Sequence, residues 1–429
     1  MAQPLCSVTL IVAAGKGRSD TPTPAWYSRQ ANQLNGPHDP SSISSPLKRA
    51  SHLCRSATMR NPISPRAVFE KSWPVLARGS NGTGALQLPP WPRISVIRCI
   101  VLLFVSGAVQ ANDFVVQRCE VIPLADRQVA FKVDGVEKLR WHFGNQYPRP
   151  FFYPFNGPSG VSLTRMGHPG AQDHDHHRSV WFAYHKVNGI DFWSDRTNAR
   201  IRQMHWYRYS DSNEEAIMAS RLGWFDEKGR QIMEQDLVAA LRPLPDNEHS
   251  LELQITFRPP EGVDSVSLDK TNFGPLAVRV SRTLSSRFGG GELTNSEGAI
   301  GEKHIFGGQA RWMDYSGPVT VGQNENRRSV REGITYFDHP ANLRYPTHWH
   351  VRTDGWMGAS FGMHAGHRIN AGESLGLRYL LHAHTGEYDA EKASAIHRRF
   401  AERPEFRIFR PGPQKPHLQY EVERVTKTK

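Results

Sequence analysis

Ser250-Leu-Glu-Leu-Gln-Ile-Thr-Phe257 alternates apolar and polar residues without a break, with Leu251, Leu253, Ile255 and Phe257 on one side. A period of two marks a strand with one buried face, because successive side chains of an extended chain point in opposite directions. The residues before it read as more of the same. Ala216–Trp224 leads into the turn Asp226-Glu-Lys-Gly229, and Gln231–Leu241 into Pro243-Leu-Pro-Asp-Asn247, so 216–257 forms a meander. Gln128-Val-Ala-Phe-Lys-Val133 before Asp134-Gly135 reads as a hairpin arm, and Ser374-Leu-Gly-Leu-Arg-Tyr-Leu-Leu-His382 as a further strand. Only Asp389–Glu402 has helical spacing, with Asp389 as its cap. Many short strands separated by Gly/Pro turns predict an all-β chain, a large antiparallel β-sandwich with one short C-terminal helix. There is no internal repeat.

The first quarter of the 429 residues reads differently. From about Arg18 to Pro92 it is rich in Ser, Pro, Gly, Asn and Arg and follows no period, a composition that buries too little apolar surface to offset its ordering entropy. Arg93-Ile-Ser-Val-Ile-Arg98 then precedes the apolar run Cys99–Ala108 and the small-residue ending Val109-Gln110-Ala111. That is the order of a secretory signal peptide, and a bilayer-spanning helix would need roughly 20 apolar residues. The expected organisation is therefore a disordered leader or over-extended start over 1–92, a signal peptide over 93–111, and one β-sandwich domain over 112–429. Export to the periplasm or the extracellular space follows from it.

Charge supports the division. Residues 1–111 carry 12 Lys and Arg against 3 Asp and Glu, leaving 41 against 38 for the remainder. The basic character belongs to the leader, which argues against a nucleic-acid partner for the folded part. Leu10-Ile-Val-Ala-Ala-Gly-Lys-Gly-Arg18 is similar to the phosphate loop of sugar nucleotidyltransferases, but it runs into Ser-Asp-Thr-Pro-Thr-Pro, without the helix such a loop requires. Of four cysteines, only Cys119 falls in the mature chain, so no internal disulfide forms there. A domain of this length holds a large core without one.

Three stretches carry chemistry. Asp173-His174-Asp175-His176-His177-Arg178 runs straight into the aromatic strand Ser179–Tyr184. Imidazole serves as acid, base or metal ligand near neutral pH. On a strand, His174 and His176 would share a face, suited to a divalent metal or to sugar hydroxyls, and His177 would point the other way unless the segment is a loop. His168, Asp173, His339, His348 and His350 are the groups available as a third ligand. The bland alternative is a hydrogen-bonded histidine network.

The second stretch, Phe337-Asp338-His339-Pro340 through Tyr345-Pro346-Thr-His348-Trp349-His350, is forced into irregular backbone by its prolines. Asp338 and His339 make an acid/base pair there and Trp349 a stacking platform, the alternative being a packed surface loop. In the third, Phe306–Gly317, Arg311 and Asp314 would bind a polar ligand, although a plain turn between strands fits better. Asn188-Gly189 reads as a hairpin turn and Trp193 as core.

Together, His174-x-His176-His177-Arg178, Lys186–Trp193, Ala310–Gly317 and Phe337–Asn342 through Trp349-His350 resemble the bacterial "methane oxygenase PmoA-like" family of unknown function, over Val129–Gly386. This chain has Asp175 where the family's histidine stretch has proline. The label does not imply methane oxidation, because the mature chain has no apolar run long enough to span a membrane. The resemblance implies an exported protein associated with sugar processing, with the galactose-mutarotase-like β-supersandwich as its architecture, an analogy of fold alone.

Two functions follow. The first is a carbohydrate-active isomerase, lyase or hydrolase acting on a sugar or glycoside. One of His174, His176 and His177 would donate a proton, Asp338 or His339 would accept one, and Arg178, Arg311, Trp349 and His350 would bind substrate. The second is a non-catalytic carbohydrate-binding protein using the same groups. A metal-dependent enzyme with His174 and His176 as ligands is a variant of the first. No stable membrane insertion is expected, and the sequence leaves the oligomeric state open.

Overall fold

A computed structural model describes residues 116–168, 174–414 and 419–425. The leader and the signal-like segment at 93–111 lie outside them, as does Asp173. The described residues all fall within one compact unit.

The architecture is an all-β antiparallel sandwich. One eight-stranded sheet runs, edge to edge, through Cys119–Leu124, Gln128–Val133, Val136–His142, Phe151–Phe155, Val180–Phe182, Leu276–Arg279, Trp356–Ala359 and Trp349–Arg352. The other, also of eight strands, runs through Glu292–Asn295, Trp312–Val321, Arg328–Asp338, Leu375–Thr385, His249–Arg258, Gln231–Pro243, Ala216–Phe225 and Arg200–Ser210. The meander expected over 216–257 forms the last part of this second sheet, with Leu253 opposite Ala239 and Tyr379. Among the described residues, no helix is long and apolar enough to cross a membrane.

The inner faces of the two sheets build one core, in which Leu251, Leu253 and Ile255 are fully buried together with Phe131, Trp141 and Phe182 of the other sheet. Truncating one such residue, as in Leu253→Ala, costs about 2–5 kcal/mol. The C-terminal helix, Ala390–Glu402, is capped by Asp389, whose side chain accepts hydrogen bonds from the amides of Glu391 and Lys392. It lays Ala393 and Phe400 over Trp312, Phe337 and Leu380 on the outer face of the second sheet.

The outer face of the first sheet carries the candidate site. Its strands obey the same alternation, so each residue between two core residues points away from the core. Val180 and Phe182 face inward and Trp181 outward; Leu276 and Val278 inward, Ala277 outward; Met357 inward, Trp356 outward. Trp349 and Val351 enter the core, which turns His350 and Arg352 to the outer side. A smaller four-stranded sheet, His367–Asn370, Ser265–Leu268, His185–Val187 and Ile190–Asp191, holds the hairpin expected at Asn188-Gly189. Both turn residues take positive φ, 50° and 78°, as a two-residue hairpin requires.

Candidate functional site

His174, His176 and His177 sit on a tight turn, where the His177 amide donates to the His174 carbonyl at 3.0 Å. The expectation that His174 and His176 share a strand face, with His177 opposite, is corrected here. A turn brings successive side chains to one side, and all three imidazoles line a single cavity. Their ring centroids lie 5.8 Å apart for His174 and His176, 5.1 Å for His174 and His177, and 4.4 Å for His176 and His177. His177 is buried and stacks on Trp181 at 5.3 Å, while His174 and His176 are half-buried.

The cavity, about 540 Å³, lies on the outer face of the first sheet. Arg279, His350, Arg352 and Trp356 contribute from the strands and Asp354 from the turn between the last two. Phe273, Asp175, half-buried His185, Asp191 and the segment Trp193–Arg196 complete its walls. Trp193 therefore does two things: it is 5% exposed and packs among Trp181 and Trp356, yet it borders the cavity. The carboxylate of Asp191 fixes this segment by accepting hydrogen bonds from the Trp193 and Ser194 amides, at 2.6 and 3.1 Å, and from the Ser194 hydroxyl.

Two further carboxylates are held ionised. Asp354 accepts from Arg279 Nη1 at 2.9 Å and meets His168 Nε2 at 3.0 Å. Burial alone would raise its pKa, but Arg279 and His168 outweigh that and hold it below the usual carboxylate range. Asp195 is likewise pushed up by burial and pulled down further by Arg178 and Arg149. His350 goes the opposite way. Burial, then Arg352, lowers it to about 3, so the ring is neutral. Its Nδ1 faces the Asn272 carbonyl at 3.1 Å and must carry the proton, because a carbonyl only accepts. Burial and the neighbouring imidazoles keep His177 neutral as well.

Several buried nitrogens of the cavity residues have no hydrogen-bond partner among the described residues: His177 Nδ1, His350 Nε2, Trp356 Nε1, and Arg279 Nε and Nη2. Buried polar groups without partners are uncommon and concentrate where ligands or water complete them. Among the described residues, no three His, Cys, Asp or Glu side chains gather as a metal-ligand set. The possible divalent metal on His174 and His176 therefore has no third described ligand beside it.

The structure does not bring the other expected residues to this cavity. Asp338 is buried at the end of Arg328–Asp338, where its oxygens accept from Asn342 Nδ2 at 2.6 Å and the Thr347 amide at 3.1 Å, and burial pushes its pKa up to about 7. His339 accepts from the Ala341 amide, contacts Arg378 at 3.2 Å and packs on Phe400. Trp349 is fully buried against Tyr336, with its Nε1 donating to the Ala310 carbonyl, so it offers no stacking face. Arg311 lies over the Trp312 ring and pairs with Glu297 at the surface. Asp314 is buried with His384 in the second sheet. Arg178 does not line the cavity; it clamps Asp195, which does, and its Nη1 also reaches the His176 carbonyl at 3.5 Å.

Asp195, Arg279, Arg352, Asp354 and Trp356 are absent from the sequence reading. One signal was available: His350, Arg352, Asp354 and Trp356 continue a spacing of two beyond the point where the second stretch was cut off.

No curated protein matches the sequence. Among solved structures, the crystal structure of a GalM/aldose epimerase homologue from C. elegans is similar over 62% of this chain and 99% of that one, at 8% identity and a TM-score of 0.23. Residues 128–398, well over half of the chain, match the family of unknown function DUF6807, a span that encloses every cavity-lining residue and the motif-bearing stretch from Val129 to Gly386. The chain belongs to the DUF6807 family.

Proposed function

We propose that this protein is an exported carbohydrate-active enzyme that performs acid/base chemistry on a sugar or glycoside in the histidine cavity. The observation that carries the proposal is the composition of that one space. Half-buried His174 and His176 face the same volume as the ionised carboxylates of Asp195 and Asp354 and the aromatic side chains of Trp193, Phe273 and Trp356. Its volume falls within the range of small-ligand sites, about 300–1,000 Å³. Aromatic surfaces receive the C–H face of a sugar ring, carboxylates accept from its hydroxyls, and imidazole moves protons at neutral pH.

With Asp338 and His339 elsewhere, we assign the acid and base roles to His174 and His176, the half-buried imidazoles of the histidine turn. One of His174 and His176 donates a proton to the ring or glycosidic oxygen, and the other accepts one. Positioned groups of this kind contribute about 10²–10⁴-fold. Neutral His177 and His350 shape the cavity and present hydrogen-bonding nitrogens. Convergence of histidines in a recess favours chemistry over binding alone, which would be served by a flat aromatic face.

The test is proton NMR of a panel of free sugars and glycosides incubated with residues 112–429. Anomer exchange, elimination or hydrolysis of one member supports the proposal. Saturable binding with no conversion of any member replaces it with a carbohydrate-binding function. Export rests on the segment 93–111, and N-terminal sequencing of protein recovered from the periplasm or medium checks it: a start near Asn112 is expected, and retention in the cytoplasm contradicts it.

A further inference from the structure

Beside the histidine cavity lies a second recess of about 530 Å³, lined by Lys270, Thr271, Asn272, Phe306, Met363 and His364. The two are separated by very little. Asn272 lines the recess and its neighbour in the chain, Phe273, lines the cavity. The Phe306 ring stands edge to face against His350, with centroids 5.0 Å apart, and carries the Arg352 guanidinium 5.0 Å from its centre. His350 and Arg352 both belong to the cavity. One layer of side chains is thus shared by both spaces.

We propose that the recess is a second sugar subsite, so that the ligand is a chain of at least two sugar units with one unit in the cavity and the next against Phe306. This rests on the carbohydrate reading of the cavity. Phe306 is 38% exposed, one of few large apolar side chains of the described residues left open to solvent. It is held in place rather than loose. Gly307 follows it with φ 78°, donates its amide to the Trp349 carbonyl at 2.8 Å, and accepts from His348 Nδ1 at 2.8 Å. An aromatic face beside an amide, an imidazole and an ammonium offers an apolar surface for the C–H side of a ring, with donors and acceptors for its hydroxyls. An occupant of the recess would lie next to an occupant of the cavity, as consecutive units of a glycan do.

The experiment measures tryptophan fluorescence while the protein is titrated with a monosaccharide and with the disaccharide and trisaccharide of the same unit. Series based on glucose, galactose, mannose, xylose and galacturonic acid are used. Trp193 and Trp356, at the cavity, report occupancy. The disaccharide of the recognised series should bind about tenfold more tightly than the monosaccharide, and the trisaccharide little better than the disaccharide. Phe306→Ala and, separately, His364→Ala should lower the disaccharide-to-monosaccharide ratio, Phe306→Ala by about tenfold. Equal binding of monosaccharide and disaccharide, or a ratio unchanged in both variants, overturns the second subsite and leaves the carbohydrate reading standing. Saturable binding by no series overturns both.

Discussion

Arg178 turns both terminal nitrogens of its guanidinium onto the carboxylate of Asp195, 17 residues further along, with Nη1 at 3.2 Å. Arg149, itself almost fully buried, reaches the same carboxylate at 3.1 Å. Asp195 is therefore the anchor that fixes the Trp193–Arg196 wall to the histidine turn, and Arg178 is a positioning residue whose charge is already used. Asp195→Asn leaves two buried guanidinium groups short of their counter-charge. Unfolding in urea should show a loss of about 1.5–3 kcal/mol, discounted toward the lower end because Asp195 keeps some exposure. Ligand affinity should fall as well, since the wall is no longer tied down.

On the proposed mechanism His174 and His176 carry the proton transfers, so their removal should affect turnover and leave the fold intact. His176→Ala should retain the far-ultraviolet circular dichroism of the native sandwich and lose about 10²–10⁴-fold in kcat on whichever sugar is converted. The same substitution at His174 should have an effect of similar size, and the double variant should be little worse than either single one, because acid and base act as a unit.

Asp338 and His339 make the opposite prediction. Asp338 is held by Asn342 and the Thr347 amide and His339 packs on Phe400 of the C-terminal helix, both away from the cavity. His339→Ala and Asp338→Asn should lower stability by about 1–3 kcal/mol through buried groups left without partners. Sugar affinity and turnover, measured at a temperature where both variants stay folded, should match the parent.

Stability should fall on mild acidification. Burial, together with Lys138, Arg378 and Arg352 respectively, holds His249 at about 3, His339 at about 4 and His350 at about 3. Each takes up a proton on unfolding once the pH drops below about 6.5. The unfolded chain then binds more protons, so stability decreases as pH falls from about 6.5 towards 4. Asp338, raised by burial to about 7, acts in the other direction between about 3.9 and 7, because its folded carboxyl keeps a proton that the unfolded one releases. Three histidines outweigh one carboxyl. The urea midpoint at pH 5 should lie below that at pH 7, and the gap should widen in Asp338→Asn.

The sandwich was legible because alternation is a local property. Ser250–Phe257, Gln128–Val133 and the capped helix after Asp389 all read correctly from spacing and turn residues alone. The histidine turn was legible as a candidate site through its residue types, but its geometry was not: a period of two over 174–176 is right for a strand and wrong for a turn. What completes the cavity comes from across the fold. Asp354 meets His168 over 186 residues and Arg279 over 75, pairings that exist only once the strands have found their order in the sheet. Trp349 misled for a related reason. On an outward-facing strand position an aromatic next to histidines would be a platform, but the register gave that position to His350 and turned Trp349 into the core.

The most direct test of the central claim is conversion of a sugar by the parent protein and by His176→Ala, followed side by side by proton NMR over the full panel of sugars and glycosides. The account predicts that at least one compound is converted by the parent and that His176→Ala, folded and still able to bind it, converts it at least about a hundredfold more slowly. Equal rates in the two proteins, or no conversion of any compound by the parent, would contradict it.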